Sequence, residues 1–189
     1  MMELRSEAAA ERWLAAHPDG ADPAEVLAFF DSLPTVAPAE LLGRWRGSGL
    51  HTGSRLDGLL EAYGWYGKEF TGVESVHPLL FRTRGGQPRP VDPAMIPLRL
   101  LCDYAGLAKL RLIATAFGGV RPLLYTNRPT ARLRTIEHRG VRTAAMIYDS
   151  LPIIDVFRRV GADILLGAMD MRGLPEPFFF LLHRDGPVG

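Results

Sequence analysis

Residues 131–183, which read ARLRTIEHRGVRTAAMIYDSLPIIDVFRRVGADILLGAMDMRGLPEPFFFLLH, give the clearest indication of the fold. This stretch holds runs rich in β-branched, aromatic and other apolar residues, separated by short breaks rich in Gly, Pro, Asp or Ser. The runs are Ala131 to His138, Val141 to Tyr148, Ile153 to Val160, Ile164 to Met169 and Phe178 to His183. Short breaks between strands are typical of hairpins, so we predict an antiparallel meander.

Three more strands are expected upstream of the meander. The segment from Leu41 to Leu50 alternates apolar and polar residues around Trp45, and Trp65 to Phe70 and Val76 to Arg82 follow a short helix capped by Ser54. A sheet of about eight strands can close into a barrel whose interior holds side chains or one small ligand. We therefore predict a mainly β fold of the α+β kind, a closed antiparallel β-barrel of about eight or more strands.

Helices are expected before and within the barrel domain. One is capped by Ser6, and a second begins at Asp22 and Pro23. Thr83 to Pro97 is rich in proline and is predicted to be a loop, whereas residues 98–117 have the spacing of a basic amphipathic helix. The predicted organisation is an N-terminal helical segment, 1–36, and a single barrel domain, 37–185. That domain is divided into a first part, 37–97, a helical insertion, 98–128, and the meander, 129–185.

Length and composition exclude several classes of protein. The chain has 189 residues, of which 47% are hydrophobic and 23% charged, which suffices for one sizeable core. Its single cysteine, Cys102, excludes an internal disulfide and a cysteine-rich zinc site. No apolar run reaches the ~18 to 20 residues of a membrane-spanning helix, and the first residues are too charged for a secretory signal. We expect a cytoplasmic protein.

The net charge of +1 conceals an uneven distribution along the chain. Residues 1–75 carry 6 basic and 12 acidic side chains, whereas residues 76–142 carry 12 basic and 3 acidic ones. Eleven of those twelve cations are arginines, which suit phosphate or carboxylate partners such as a lipid headgroup. A solvated surface is the alternative. Since residues 128–142 hold no aromatic side chain except His138, we expect no nucleic-acid partner.

Asp155 is the most unusual position, because it shares a predicted strand face with Ile153 and Phe157. A carboxylate on an apolar face must be paired or have its proton affinity raised. It can anchor a ligand headgroup or act as a general acid or base; the alternative is a buried ion pair with Arg142 or Arg134. Tyr148, at the end of the preceding strand, is expected near it.

Familiar catalytic and cofactor patterns are missing from the sequence. The five histidines lack the spacing of a metal site, and no G-x-S-x-G, P-loop or dinucleotide fingerprint occurs. We therefore expect no cofactor and no metal, and we assign no catalytic residue. His183 shares a face with Phe179 and Leu181, which suits a core or barrel-mouth histidine and leaves a catalytic role open.

Four stretches carry a family resemblance. They are GRWRG at Gly43 to Gly47, DGLLEAYGWYGKEF at Asp57 to Phe70, AAMIYDSLPIIDVFRRV at Ala144 to Val160, and LGAMDMRG followed by PFFFLLHRD. Together they resemble a bacterial family of unknown function named for its GXWXG N-terminal domain, which is usually joined to a second C-terminal domain of unknown function. The resemblance implies a calycin-like (lipocalin-like) barrel in which Trp45 packs across the base of the barrel. It also implies that a cation near the end of the sequence, here Arg184, lies over the ring of Trp45. It also implies an association with lipid, phospholipid in particular.

The sequence and the resemblance together predict a cytoplasmic, non-enzymatic protein that binds a hydrophobic or amphiphilic ligand. A phospholipid or fatty acid would lie in the barrel with its anionic headgroup near arginines. The predicted ligand-binding residues are Trp45, Trp65, Tyr66, Phe81, Arg132, Arg134, Arg142, Met146, Tyr148, Ile153, Asp155, Phe157, Leu166, Phe178, Phe180 and His183.

Two other functions stay open at this point. One is a small enzyme that uses the same cavity for acid/base chemistry on a hydrophobic substrate, with Asp155, Tyr148 and His183 as its functional groups. The other is an interaction module whose basic segment meets an acidic partner. Transient contact with a membrane surface and a homodimer are the further partnerships that we consider.

Overall fold

The computed structural model describes residues 7–83, 85–96 and 111–186. Within these ranges nine strands form one antiparallel sheet. They are β1 Gly43–Gly49, β2 Trp65–Gly72, β3 Ser75–Arg82, β4 Pro88–Pro90, β5 Ala131–His138, β6 Val141–Tyr148, β7 Ile153–Gly161, β8 Ile164–Met171 and β9 Phe178–Arg184. The same ranges contain the α-helices α1 Glu7–Ala16, α2 Pro23–Ser32, α3 Leu59–Ala62 and α4 Arg111–Val120. The prediction of a mainly β fold is confirmed.

Eight of the strands form a ring of pairings. The order along the sheet is β2-β1-β9-β8-β7-β6-β5-β3-β4, and β2 also pairs with β3, which leaves β4 beside the ring. The predicted meander is confirmed, since β5 to β9 pair in succession. The shortest pairing joins β3 to β5 through Val76 and Ala131. Two backbone hydrogen bonds, from Thr130 N to Val76 O (3.1 Å) and from Leu133 N to Val73 O (2.7 Å), support that junction.

Alternation along the strands separates two apolar cores. All eight strands of the ring contribute buried side chains to the larger core, which therefore lies inside the ring. The smaller core lies on the outer face, where Val156 and Val160 of β7 pack with side chains of α1 and α2. Arg158 shares this outer face, buried with its guanidinium over the ring of Phe30.

Both predicted N-terminal helices are present, and Ser6, the predicted cap of the first, lies outside the described residues. The Asp22 carboxylate accepts a hydrogen bond from the Ala24 N–H at 2.9 Å, and Pro23 occupies the first turn of α2. Val26, Phe29 and Phe30 then place the apolar side of α2 against the sheet. These helices pack on the outside of the ring and contribute no side chain to the core inside it.

Three predicted segments differ from the structure. Ser54 Oγ accepts from the Leu56 N–H (3.2 Å) in a turn, and α3 begins only at Leu59. The predicted loop 83–97 contains β4 and a short 3-10 helix, Pro93–Met95. Of the predicted helix 98–117, only the part from Arg111 falls among the described residues, and it is helical; Cys102 lies outside them. No described helix has the length and apolar character needed to cross a membrane.

Candidate functional site

A cavity of about 90 Å³ lies within the ring, toward the end where β2, β7 and β9 begin and β3, β6 and β8 end. Nearly all of its wall is apolar and comes from those strands, α3, α4 and the segments beside them. The apolar and aromatic wall residues are Leu56, Leu59, Leu60, Tyr63, Trp65, Leu79, Phe81, Ile96, Phe117, Tyr148, Ile153, Met169, Met171, Phe178 and Phe180. Two charged side chains, Lys68 and Asp155, complete the described lining.

Lys68 and Asp155 form a buried ion pair. Lys68 Nζ lies 2.7 Å from Asp155 Oδ2, and the two side chains are 3% and 1% exposed. The ammonium also donates to the Pro78 carbonyl at 3.3 Å and, over 3.5 Å, to the Tyr148 hydroxyl. The ring centroids of Phe180, Trp65 and Tyr148 lie 4.8, 5.6 and 5.7 Å from Nζ. The cation is thus held by one carboxylate, two weaker acceptors and three aromatic rings.

Burial controls the protonation of this cluster. Desolvation raises the pKa of Asp155, and the neighbouring Lys68 opposes that rise. Desolvation also raises the pKa of Tyr148 well above its ordinary value, and the charge of Asp155 adds to the effect, so the phenol keeps its proton. Burial therefore favours the protonated carboxyl group of Asp155, whereas the nearby charge of Lys68 favours the carboxylate.

Polar atoms beside the cavity are left without hydrogen bonds. The buried indole N–H of Trp65 has no partner among the described residues, and neither oxygen of Asp155 accepts a hydrogen bond of good geometry within that set. The 2.7 Å contact to Lys68 therefore binds Asp155 by charge more than by a directed hydrogen bond. Since buried polar groups nearly always have partners, a donor and an acceptor in this condition can receive the polar group of a ligand.

A bulge in β2 brings Lys68 into the ring. Strict alternation would place Trp65 and Lys68 on opposite faces, but the register between β2 and β3 shifts on either side of Gly67. Gly67 has φ +148°, and a Cβ there would overlap the carbonyl oxygen of Trp45, so only glycine fits. The pattern of the sequence did not predict Lys68 as a site residue, because the bulge interrupts the alternation along β2. The signal was Phe70, a core residue two positions further along the same face.

The residues around Trp45 shape the rest of the ring. The Trp45 indole N–H donates to the Leu41 carbonyl at 2.7 Å, and the Arg184 guanidinium lies 4.1 Å from the ring centroid. The expected cation over Trp45 is confirmed. A Cβ on Gly47 would overlap the ring of Trp65, so this glycine lets Trp65 lie across β1 as part of the cavity wall.

Two family profiles match the chain on either side of its middle. Residues 28–86 match the profile described as "GXWXG protein", and residues 129–184 match "Domain of unknown function (DUF4334)". A crystal structure of a protein from Thermomonospora curvata is 33% identical, covers 94% of this chain and 99% of its own, and superposes with a TM-score of 0.68. The chain belongs to the GXWXG family. No curated protein matches it.

The site of this GXWXG family member is assembled from both matched segments. Trp65 and Lys68 come from the GXWXG segment, whereas Tyr148 and Asp155 come from the second one. Neither segment completes the cluster alone. Among the described residues, no group of three or more His, Cys, Asp or Glu side chains is placed to hold a metal ion.

The structure brings together only some of the predicted site residues. Those that line the cavity are Trp65, Phe81, Tyr148, Ile153, Asp155, Phe178 and Phe180. Trp45, Met146 and Phe157 belong to the interior core without lining the cavity, and Leu166 packs in the outer core. Tyr66 faces away from the cavity, with its hydroxyl on Asp185 and its ring under Arg82.

His183 does not join the cluster. It pairs in register with Arg46, five positions along β9 from Phe178, which at ~3.3 Å per residue places it about 17 Å from the cavity end of the strand. Burial lowers the pKa of His183, and the charge of Arg46 acts in the same direction. The acid/base set of Asp155, Tyr148 and His183 is therefore not assembled.

The predicted arginines also lie elsewhere. Arg132 and Arg134 alternate with the buried Leu133, so both face outward, where they pair with Asp149 (2.6 Å) and Glu74 (2.7 Å). Arg142 is exposed at the start of β6, six positions or about 20 Å along the strand from Tyr148. The alternative in which Asp155 pairs with Arg142 or Arg134 is wrong, because its partner is Lys68.

Proposed function

We propose that this protein binds an apolar small molecule through one polar group that faces Lys68, Asp155 and Tyr148. The observation that carries the proposal is a fully buried ion pair with unsatisfied neighbours, placed in a cavity whose remaining wall is apolar. An apolar pocket with a few convergent polar groups is the usual form of a small-molecule site. Burying a charged pair gains little for stability compared with well-packed hydrophobic residues, which favours a functional role.

The charges select the polar group of the ligand. Asp155 already neutralises Lys68, so a carboxylate or phosphate would bring a second negative charge into a low dielectric. A neutral carbonyl, hydroxyl or amide instead accepts from the Trp65 N–H or from Lys68. The proposal therefore departs from the phospholipid or fatty acid with an anionic headgroup near arginines that the sequence suggested.

The volume of the cavity limits the size of the ligand. Pockets for drug-sized molecules enclose ~300 to 1,000 Å³. A volume of about 90 Å³ suits a small molecule or the tip of a longer chain. We propose further that the ring of strands acts as a closed, calycin-like barrel around this volume; the cycle of pairings and the Arg184 contact to Trp45 support that proposal. A cytoplasmic location, membrane contact and a homodimer stay predictions from the sequence.

The test is a titration with 1-butanol followed by NMR of the indole N–H groups. Burying an alkyl chain of this size at about 0.8 kcal/mol per CH₂ predicts a Kd on the order of millimolar. We expect the Trp65 indole resonance to shift and saturate, because its N–H has no partner among the described residues. The Trp45 resonance should hardly move, because that N–H donates to Leu41.

Two variants make the titration specific. Leu60→Trp enlarges a side chain of the cavity wall while keeping Lys68 and Asp155, and it should abolish saturation. Leu123→Trp adds the same indole at a side chain that is 79% exposed and should bind as wild type does. A Trp65 resonance that does not respond, or that responds equally in Leu60→Trp, would contradict the proposal.

A further inference from the structure

The cation in the cavity is of a type that this chain scarcely uses. Of 22 basic side chains only Lys68 and Lys109 are lysines, and the other basic residues are arginines. An arginine would pair with Asp155 more firmly, because its planar guanidinium can donate two parallel hydrogen bonds to a carboxylate. A guanidinium, however, stays protonated, whereas an amine can give up a proton and become a nucleophile. Lysine at position 68 thus provides a chemistry that arginine lacks.

The surroundings of Lys68 allow its amine to become neutral without exchanging a proton with solvent. Asp155 Oδ2 lies 2.7 Å from Nζ, which permits direct proton transfer once the ammonium rotates one N–H toward that oxygen, and both side chains are almost fully buried. Burial favours the protonated form of Asp155, and a neutral lysine amine in an apolar pocket can attack a carbonyl group. The cavity beside Nζ has room for a small apolar reactant.

We propose that Lys68 forms a reversible imine with a small apolar aldehyde, with Asp155 as proton carrier and counter-ion. The inference rests on the proposed function, because the aldehyde must first occupy the cavity. Nζ gives one proton to Asp155 and attacks the carbonyl carbon, and the electron pair of the C=O bond moves to oxygen, which takes that proton. The carbinolamine then expels this oxygen as water with a second proton passed from nitrogen through Asp155. The product is an iminium whose nitrogen keeps one proton; no oxidant or reductant takes part.

The rest of the cluster supports the same reaction. The Tyr148 hydroxyl lies 3.5 Å from Nζ and stays protonated, so it can donate to the carbonyl oxygen as charge develops there. The iminium replaces the ammonium as a cation beside the rings of Trp65 and Phe180, whose centroids lie 5.6 and 4.8 Å from Nζ. Net charge in the cavity is unchanged, so the reaction leaves no uncompensated buried ion. The ligand class is an uncharged aliphatic aldehyde.

The experiment traps the imine. The full-length protein is incubated with butanal, reduced with sodium borohydride and analysed by intact mass and peptide mapping. The structure predicts one butyl group on Lys68, at a level about tenfold or more above that on Lys109 or the N-terminal amine, because the cavity holds the reactants together. Lys109→Arg should keep this label, Lys68→Arg should lose it, and Leu60→Trp should lose it with Lys68 still present.

The outcomes separate this inference from the proposed function. Saturable 1-butanol binding in the wild type together with equal, low labelling of all amines overturns the imine and leaves the binding site standing. Labelling of Lys68 that 1-butanol does not compete away, or that survives in Leu60→Trp, also overturns it, because the reaction would then not depend on the cavity. Because wild-type peptide mapping alone identifies the labelled amine, the test holds even where Lys68→Arg fails to fold.

Discussion

Breaking the ion pair between Lys68 and Asp155 from one side should be far more costly than removing it entirely. With side chains only 3% and 1% exposed, neither charge has water to replace a lost partner. Leaving one such ion uncompensated costs about 3–5 kcal/mol, whereas replacing both with apolar residues is often neutral or stabilising. We therefore expect Lys68→Met and Asp155→Leu each to lower the free energy of unfolding by about 3–5 kcal/mol, and the double variant to recover most of the loss.

Urea unfolding followed by circular dichroism measures this cycle. For a slope of about 2 kcal/mol per molar urea, the single variants should lose roughly 1.5–2.5 M in their midpoints. The control is Arg132→Met, which breaks a pair of similar length, 2.6 Å, whose side chains are 43% and 39% exposed. That change should cost at most about 1 kcal/mol. Single variants that cost no more than this control, or a double variant no more stable than the singles, would mean that Lys68 and Asp155 do not compensate each other's buried charge.

The free energy of unfolding of the Lys68→Met variant should depend on pH. Burial raises the pKa of Asp155, and Lys68 is the group that opposes the rise. In Lys68→Met the pKa of Asp155 in the folded protein therefore rises further above its value in the unfolded chain. The variant is then most stable below the unfolded-state pKa of Asp155, and its free energy of unfolding falls as the pH rises toward the folded-state pKa. The loss in free energy of unfolding of Lys68→Met relative to wild type should be larger at pH 8 than at pH 5. A loss that does not depend on pH would mean that Asp155 is not the buried titrating group.

Two further predictions concern the scaffold. Gly47→Ala should cost about 1–3 kcal/mol by overpacking, because its methyl group would overlap the ring of Trp65, whereas Gly119→Ala, in open space on α4, should not destabilise; equal unfolding midpoints for the two would contradict this account of the motif. Burial lowers the pKa of three histidines, so the unfolded chain binds protons more readily and stability should fall as pH drops below about 6.5. The residues are His77, His138 and His183, and replacing all three with asparagine should flatten the urea midpoint between pH 7.5 and 5.5.

The sequence predicted most of the strands because their pattern is local. Alternation and turn residues mark β5 to β9 clearly, and each turn needs only a few residues to specify it. The missed strand, β4, contains Pro88 and Pro90, which cannot donate to a ladder and are typical of loops. It lies beside the ring on β3, where an edge strand tolerates proline. Local patterns therefore give the strands but not every pairing.

The sequence predicted Asp155 as a site residue but not its partner Lys68, and the reason is physical. Asp155 stood out because Ile153 and Phe157 flank it on one face. Its partner did not, because a single extra residue at the Gly67 bulge reverses the face on which Lys68 lies, and periodicity does not register such an insertion. The arginines of the basic middle segment were predicted at the site for a related reason. A sum of charges along the sequence does not distinguish the two faces of a strand, and Arg132 and Arg134 lie on the outer face.

A crystal structure of the wild-type protein grown with 1-butanol would show whether the interior of the ring is a ligand site built around the ion pair. We expect one alcohol in the cavity, with its alkyl chain among the apolar wall residues. Its hydroxyl should lie within hydrogen-bonding distance of Trp65 Nε1 or an Asp155 oxygen. A cavity filled by the protein's own side chains, with Trp65 Nε1 and Asp155 bonded to other protein groups, would contradict it.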